Sequence, residues 1–319
     1  MNGLPDELRS ALTRLTEGQS RHELAGRARA ISESYRGGGT STPIADAGDA
    51  LAYALTRMPA TYAAVAACLA ALRDARPAFQ PASMIDAGAG PGTAAWAAAD
   101  AFASLSDVVL LDANAALLDL ARTLATASER MSGAGFRNGP LAHLLSNAPG
   151  ADLVVASYLI GELDERERTE LASLLWERTH DTLLIVEPGT PAGYARILEV
   201  RAQLIAQGAH VLAPCPHDRP CPLVAPDWCH FAQRLPRTRD HMLLKDADVP
   251  FEDEKFAYVA LSRVAAEARR TRVLAPPHAS KAAIEAKLCT ADGVINAGIA
   301  RRDKIGYAAA RRLRWGDAV

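Results

Sequence analysis

Asp86-Ala87-Gly88-Ala89-Gly90-Pro91-Gly92-Thr93 is the stretch on which the fold turns. It closes a short apolar run, Ser83–Ala87, that reads as a strand, and it opens an alanine-rich helical pattern from Gly92. Glycines let a backbone turn sharply and come close to a ligand. A helix that begins just beyond the turn presents free N–H groups. A dinucleotide-binding turn, G-x-G-x-x-G, would need glycine at 93, where Thr93 stands. The pattern here is acid-x-G-x-G-x-G.

Outward from the turn, strands and helices alternate. Val108–Leu111 reads as a strand ending at Asp112, and Ala115–Arg130 as its helix. Asp152–Ser157 is a further strand, with Glu165–Thr179 as an amphipathic helix. Thr182–Val186 follows, ending in Glu187-Pro188-Gly189, and Gly193–Gln207 is one more helix. Such alternation predicts a parallel sheet covered on both faces. Residues 1–80 read as a helical region: Leu4, Leu8, Leu12 and Leu15 recur at helical spacing, Gly37-Gly38-Gly39 is a break, and Ile44–Ala75 resumes with Pro59 marking a start or kink. The expected organisation is this helical region, an α/β Rossmann-like domain over 81–265 with a cysteine-rich insertion at 209–232, and a basic appendage over 266–319. Within the domain Phe256–Leu261 is a late strand. Within the appendage Ile284–Thr290 and the residues after Asp292-Gly293 form a hairpin, followed by a helix over Asp303–Leu313.

The glycine turn in this setting resembles motif I of class I S-adenosylmethionine-dependent methyltransferases. The resemblance implies that Asp86, Gly88 and Gly90 surround the methionine part of that cofactor, and that Asp112 accepts hydrogen bonds from its ribose hydroxyls. A carboxylate suits that task because it offers only acceptors, and Asp112 stands about 20 residues beyond the glycines, as such an acid should. Gly92 and Ser157 complete the expected cofactor set. A nicotinamide or flavin nucleotide, or an empty relic of the fold, remains open at this stage. No residue earns a catalytic role. Ser157-Tyr158-Leu159-Ile160-Gly161-Glu162 stands where amino-methylating enzymes carry an Asp/Asn-Pro-Pro-aromatic loop, and neither strand end offers a nucleophilic cysteine. Glu162 and Glu187 occupy places suited to a general base, although a helix-start carboxylate and a tight turn account for them too.

The 319 residues are 49% hydrophobic and 23% charged with a net charge of −2, an ordinary globular composition. The longest uncharged apolar stretch, between Arg57 and Arg73, is shorter than the roughly 20 residues that span a bilayer, so no membrane association is expected. Asp6, Glu7 and Arg9 interrupt the N-terminus and no apolar segment follows, so neither a signal peptide nor a transit peptide is expected. The expected setting is a bacterial cytoplasm, and the expected state a monomer. From residue 269 onward there are eleven basic and four acidic residues, a net +7 against −9 for the remainder. A basic end on an acidic body points to a polyanionic partner, with a solvated helix face as the plain alternative.

Of five cysteines, Cys68 lies in an alanine-rich helix and reads as a core residue. Cys215, Cys221 and Cys229 crowd a Pro-rich loop, and Cys289 lies on the hairpin. Clustered cysteines in a reducing compartment read as metal ligands. Their spacings fit zinc sites poorly, while four thiolates suit an iron–sulfur cluster. Zinc, with His217 or His230 joining, is the runner-up, and an unliganded set is the third possibility.

Taken together, Arg57-Met-Pro-Ala-Thr-Tyr62, the glycine turn, Glu187-Pro-Gly-Thr-Pro191, the cysteine loop, Phe256–Arg263 and Arg301–Lys304 through Arg314–Asp317 resemble the methyltransferase-like proteins of the small ribosomal subunit. The resemblance covers the chain from about residue 40. It implies a class I methyltransferase fold, a [4Fe–4S] cluster on Cys215, Cys221, Cys229 and Cys289, and action on the small ribosomal subunit, by methylating its rRNA or by assisting its assembly without catalysis. Arg301, Arg302, Lys304, Arg311, Arg312 and Arg314 then become expected rRNA phosphate contacts, with Tyr307 and Trp315 available for stacking.

Overall fold

A computed structural model describes residues 3–36, 43–237, 239–244 and 248–319. The Gly37-Gly38-Gly39 break lies outside the described residues. Helices α1 (Asp6–Thr16) and α2 (Arg21–Arg36) lead into α3 (Ala47–Ala75), which is one continuous helix with Pro59 inside it. Helix α3 is long and apolar enough to cross a membrane, yet 61% of its most apolar window is buried within the protein, as in a core helix.

The alternating segment follows as β1 (Ser83–Ala87), α4 (Thr93–Ala101), β2 (Asp107–Asp112), α5 (Ala115–Ala125), β3 (Gly135–Asn138), α6 (Leu141–Ser146) and β4 (Ala151–Ser157). After a 3-10 turn at Ile160–Glu162 come α7 (Glu165–Arg178), β5 (Thr179–Pro188) and α8 (Pro191–Ala206). Three strands close the sheet: β6 (His210–Ala213), β7 (Phe231–Pro236) and, after α9 (Arg239–Leu244), β8 (Phe251–Ser262). The order is β3-β2-β1-β4-β5-β8-β6, with β7 also on β8. The first five of these strands run parallel, and β8 is antiparallel to β5. An open parallel sheet whose last strand is reversed and inserted beside β5 is the class I methyltransferase fold, as the glycine turn led one to expect.

Side chains alternate across the sheet with the period of a strand. Leu153 and Val155 of β4 and Leu184 and Val186 of β5 face one core, with α3, α4 and α5. Val154, Ala156, Leu183 and Ile185 face the other, with α7 and α8. Both faces are buried, which is why these strands read as continuous apolar runs.

Strands β6 and β7 share one edge of β8. Phe231–Pro236 pairs with Phe251–Phe256, and His210–Ala213 with Ala260–Ser262. The cysteine loop therefore leaves the sheet between two short strands on one edge. The C-terminal part is more than a hairpin: β9 (Arg272–Val273), β10 (His278–Ala279), β11 (Ala283–Thr290) and β12 (Gly293–Ala300) form a second sheet, followed by α10 (Lys304–Ala310). Helix α10 stops short of the expected Leu313, so Arg311 and Arg312 lie beyond it.

Candidate cofactor crevice and thiol cluster

The strand order reverses between β1 and β4, and ligands of open α/β sheets sit at the carboxyl ends of the strands beside such a reversal. The glycine turn rises from β1 at that place. Gly88, Gly90 and Gly92 have φ of 69°, 53° and 82°, a region that side-chain-bearing residues seldom adopt. Asp112, at the end of β2, binds the turn from the side. One carboxylate oxygen accepts from the Gly90 N–H at 2.6 Å, and the other from the Asn114 N–H at 2.6 Å. Each oxygen keeps a further lone pair. Burial raises the Asp112 pKa, and these N–H groups offset only part of that rise.

Asp86 lies at the end of β1, beneath the turn. It is fully buried, and one oxygen accepts from the Ala95 N–H at 3.0 Å, in the first turn of α4. The other oxygen has no partner among the described residues. Burial pushes its pKa up to about 7. Across the crevice, Ser157 ends β4. Tyr158 follows at φ 56°, its hydroxyl donating to Glu254 at 2.7 Å with Arg57 alongside. Leu159 then lies over the turn: a Cβ placed on Gly88 would stand 2.8 Å from its Cδ1. Glu187 is fully buried against Arg196, its Oε2 accepting from Arg196 Nε at 2.9 Å, and burial raises its pKa.

At the sheet edge the four distant cysteines come within electrostatic reach of one another. Cys215, Cys221 and Cys289 all press on Cys229, and Cys215 and Cys221 press on Cys289. None is in a disulfide. Burial, reinforced by its thiol neighbours, pushes Cys289 up to about 12 and holds Cys229 well above the ordinary thiol range. Cys68 is separately buried in the core. Among the described residues, no group of three or more His, Cys, Asp or Glu side chains stands ready to chelate a metal ion, and His217 and His230 instead face the carbonyls of Arg219 and Trp228.

Several contacts hold the C-terminal sheet on this loop. Arg272 Nε donates to the Pro214 carbonyl at 3.1 Å, and Lys287 pairs with Asp227. Trp315 meets His230 edge-on at 4.9 Å, and His230 stacks on Trp228 at the same distance. Arg272 is the register partner of Cys289. Beyond these, Arg301, Arg302, Lys304, Arg311, Arg312 and Arg314 are all exposed, and none has an ion-pair partner among the described residues.

Three residues of the cluster escaped the reading of the sequence. Tyr194 donates its hydroxyl to the Cys221 sulfur at 3.1 Å. Arg201 and Arg272 are buried beside the thiols, 3% and 6% exposed. The signal for Arg201 was a charge on the apolar stripe of α8, between Ile197 and Leu204. Arg272 carried no such signal.

The profile of the mitochondrial small ribosomal subunit Rsm22 family matches residues 47–319. The chain belongs to the Rsm22 family. Human mitochondrial ribosome assembly protein METTL17 is 31% identical over 292 residues, covering 85% of this Rsm22-family chain and 62% of the human protein. The fission-yeast mitochondrial Rsm22-cox11 tandem protein 2 is 23% identical over 329 residues, covering 84% of this chain and 42% of its own length. The chain thus spans only part of the curated relatives it matches. Among solved structures, the Synechocystis magnesium protoporphyrin IX methyltransferase with bound S-adenosylmethionine is 15% identical, with a TM-score of 0.42, over 64% of this chain and 80% of that one. A TehB-like methyltransferase from Corynebacterium glutamicum is 19% identical, with a TM-score of 0.39, over 62% and 86%. The strand order, rather than these likenesses, defines the fold.

The matches correct one expectation. The curated relatives are named as mitochondrial proteins, which overturns the bacterial cytoplasmic setting. The acidic residues and missing apolar segment near the N-terminus describe only that stretch, and compartment does not follow from it.

Proposed function

We propose that this chain is a small-ribosomal-subunit assembly protein whose basic C-terminal part grips rRNA and is held to the methyltransferase-like body by a [4Fe–4S] cluster on Cys215, Cys221, Cys229 and Cys289. What supports the reading is that four unbridged thiols, three from one loop and one from β11, lie within electrostatic reach of one another, with two buried arginines nearby.

Four thiols are the donor chemistry of such a group, although in this structure they do not stand ready to chelate a metal ion. Neither Arg201 nor Arg272 has an ion-pair partner among the described residues: both donate to carbonyls, and Arg201 Nε has no acceptor at all. Buried cations need compensating charge. A metal group that strips the thiol protons would provide it. A single zinc ion would draw the four sulfurs to about 3.8 Å from one another, given its ~2.3 Å bonds to sulfur. A cluster spaces its ligands more widely. When bound, the cluster supplies a cross-link between loop and tail. The chain's own part is to bring the ligands together and, through Arg272, Lys287 and Trp315, to align the tail on them.

S-adenosylmethionine is the proposed ligand of the crevice, with Asp112 facing its ribose and Asp86, Gly88, Gly90, Gly92 and Ser157 around it. Asp86 supports the turn from beneath. When bound, this cofactor supplies an electrophilic methyl group. A second reading, in which the crevice serves as a scaffold without turnover, is favoured by Leu159 lying over Gly88. Leu159→Ala should then raise affinity for the cofactor by calorimetry; unchanged affinity would count against a guarding role. Counting methyl groups on small-subunit RNA from a deletion strain separates the readings, since the scaffold reading expects an unchanged profile.

Anaerobic purification with iron and sulfide analysis tests the cluster. About four of each per chain are expected, with loss in Cys289→Ser together with protease sensitivity between residues 263 and 272. A colourless wild-type protein carrying one zinc would refute the assignment.

A further inference from the structure

We infer that Arg57 and Glu254, set in place by Tyr158, form a site at the crevice for one unpaired nucleobase, read on its hydrogen-bonding edge; this rests on the reading above of the chain as an rRNA-binding protein. The three side chains come from α3, from β8 and from the residue after β4. They meet at the carboxyl end of β4, beside the β1–β4 reversal where open α/β sheets take their ligands. The Tyr158 hydroxyl donates to Glu254 Oε1 at 2.7 Å, and Arg57 Nη2 stands 3.6 Å from the same oxygen. The Arg57 guanidinium carbon lies 6.0 Å from the centre of the Tyr158 ring.

Two features distinguish this trio from a brace within the core. The first is the backbone of Tyr158. Among the described residues it is the only non-glycine with a positive φ, and its N–H is pinned to the Val186 carbonyl at 2.7 Å. The left-handed region disfavours a bulky side chain, and strain of this kind gathers at ligand sites. Glycine or asparagine would fit that backbone with less strain. A tyrosine held there brings its hydroxyl to a fixed point and so orients the carboxylate of Glu254.

The second feature is open hydrogen-bonding capacity. At 3.6 Å, Arg57 and Glu254 attract each other without a hydrogen bond. Arg57 makes none among the described residues, and 36% of its side chain is exposed. Glu254 Oε2 likewise has no partner among them, and it is not sealed from water. The next residue on the strand behaves otherwise: Asp253 is closed by Arg234 at 2.7 and 2.8 Å. A carboxylate offers only acceptors and a guanidinium only donors. Held side by side and apart, they match an edge on which an N–H donor adjoins an acceptor. The Watson–Crick edge of every nucleobase has that arrangement, and it is free only when the base is unpaired.

The test uses the whole chain and a set of RNA hairpins identical except at one bulged position, which carries cytidine, adenosine, guanosine, uridine or an abasic sugar. Fluorescence anisotropy at several salt concentrations gives the affinities. The wild type should bind at least one of the four base-bearing hairpins about tenfold more tightly than the abasic one. Arg57→Gln and Glu254→Gln should each bring that ratio to within about twofold. Their affinity for the abasic hairpin, and its salt dependence, should stay as in the wild type, because the basic tail supplies them. Tyr158→Phe keeps the ring but frees the carboxylate, and should lower the same ratio by a smaller factor. A core brace would not move a base-to-abasic ratio at constant abasic affinity. Salt-dependent binding by the wild type without base preference would overturn the inference, as would glutamine variants that keep the preference. Should circular dichroism show that the glutamine variants are unfolded, Tyr158→Phe decides: a lowered ratio supports the site and an unchanged one overturns it. A wild type that binds none of the hairpins defeats the underlying rRNA reading instead, so the two failures are distinguishable.

Discussion

Replacing Asp86 with asparagine removes a proton-binding group from the interior without changing its size. The carboxyl group is fully buried, one oxygen holds the Ala95 N–H and the other is unpartnered, and burial moves its pKa from 3.8 to about 7. Between those two values the folded chain keeps a proton there that the unfolded chain releases. Stability from this group is thus fully present below the unfolded value and is lost as pH rises through the folded one, at about 1.4 kcal/mol per pH unit. The whole loss comes to about 4 kcal/mol. Asp86→Asn lacks this dependence while keeping an oxygen for Ala95. The difference in unfolding free energy, variant minus wild type, should therefore grow by about 3 kcal/mol between pH 5 and pH 8. Urea unfolding followed by circular dichroism at four pH values across that range measures it. Parallel stability profiles for the two proteins would show that Asp86 stays ionised in the fold and would refute the reasoning.

Two further outcomes test the turn and the tail. Gly92→Ala places a Cβ 2.9 Å from Leu110 Cδ2 at a φ of 82°, and should cost about 1–3 kcal/mol in the same unfolding assay; Gly133→Ala, with open space around it, should change stability by less than about 0.5 kcal/mol. The combined Arg301→Gln, Arg302→Gln, Lys304→Gln variant should flatten the slope of log affinity against log salt for a single-stranded rRNA fragment by about 2. An unchanged slope would place the RNA contact elsewhere.

The central strands were legible because both faces are buried and each run ends at a marker: Asp86 and Ala87 for β1, Asp112 for β2, Ser157 for β4. Strand β3 escaped because it is short and at the sheet edge, and Arg137 and Asn138 leave no apolar run to notice. Strands β6 and β7 escaped because what makes them strands is β8, some twenty to fifty residues downstream, while the sequence between them is dominated by proline and cysteine. Pro59 was readable as a breaker. In the structure α3 runs through it, since burial of Met58, Ala60, Tyr62 and Ala63 around it outweighs one lost backbone hydrogen bond. The cysteines could be singled out by clustering. Their neighbours Arg201 and Arg272 could not be paired with them, because helix α8 and strand β9 lie on opposite sides of the loop in sequence. Likewise the cover that Leu159 lays over Gly88 depends on β4 lying beside β1, which no local pattern states.

The division of one edge of β8 between two short partners has a cost when the loop between them is out of place. Among the described residues, Ala257, Tyr258 and Val259 have no ladder partner on that side, and all three are apolar and buried. An unpaired strand edge of this kind is a template for foreign chains. Chains caught before the loop settles would thus associate edge to edge, so that early delivery of whatever fastens the loop protects against aggregation as well as completing the fold.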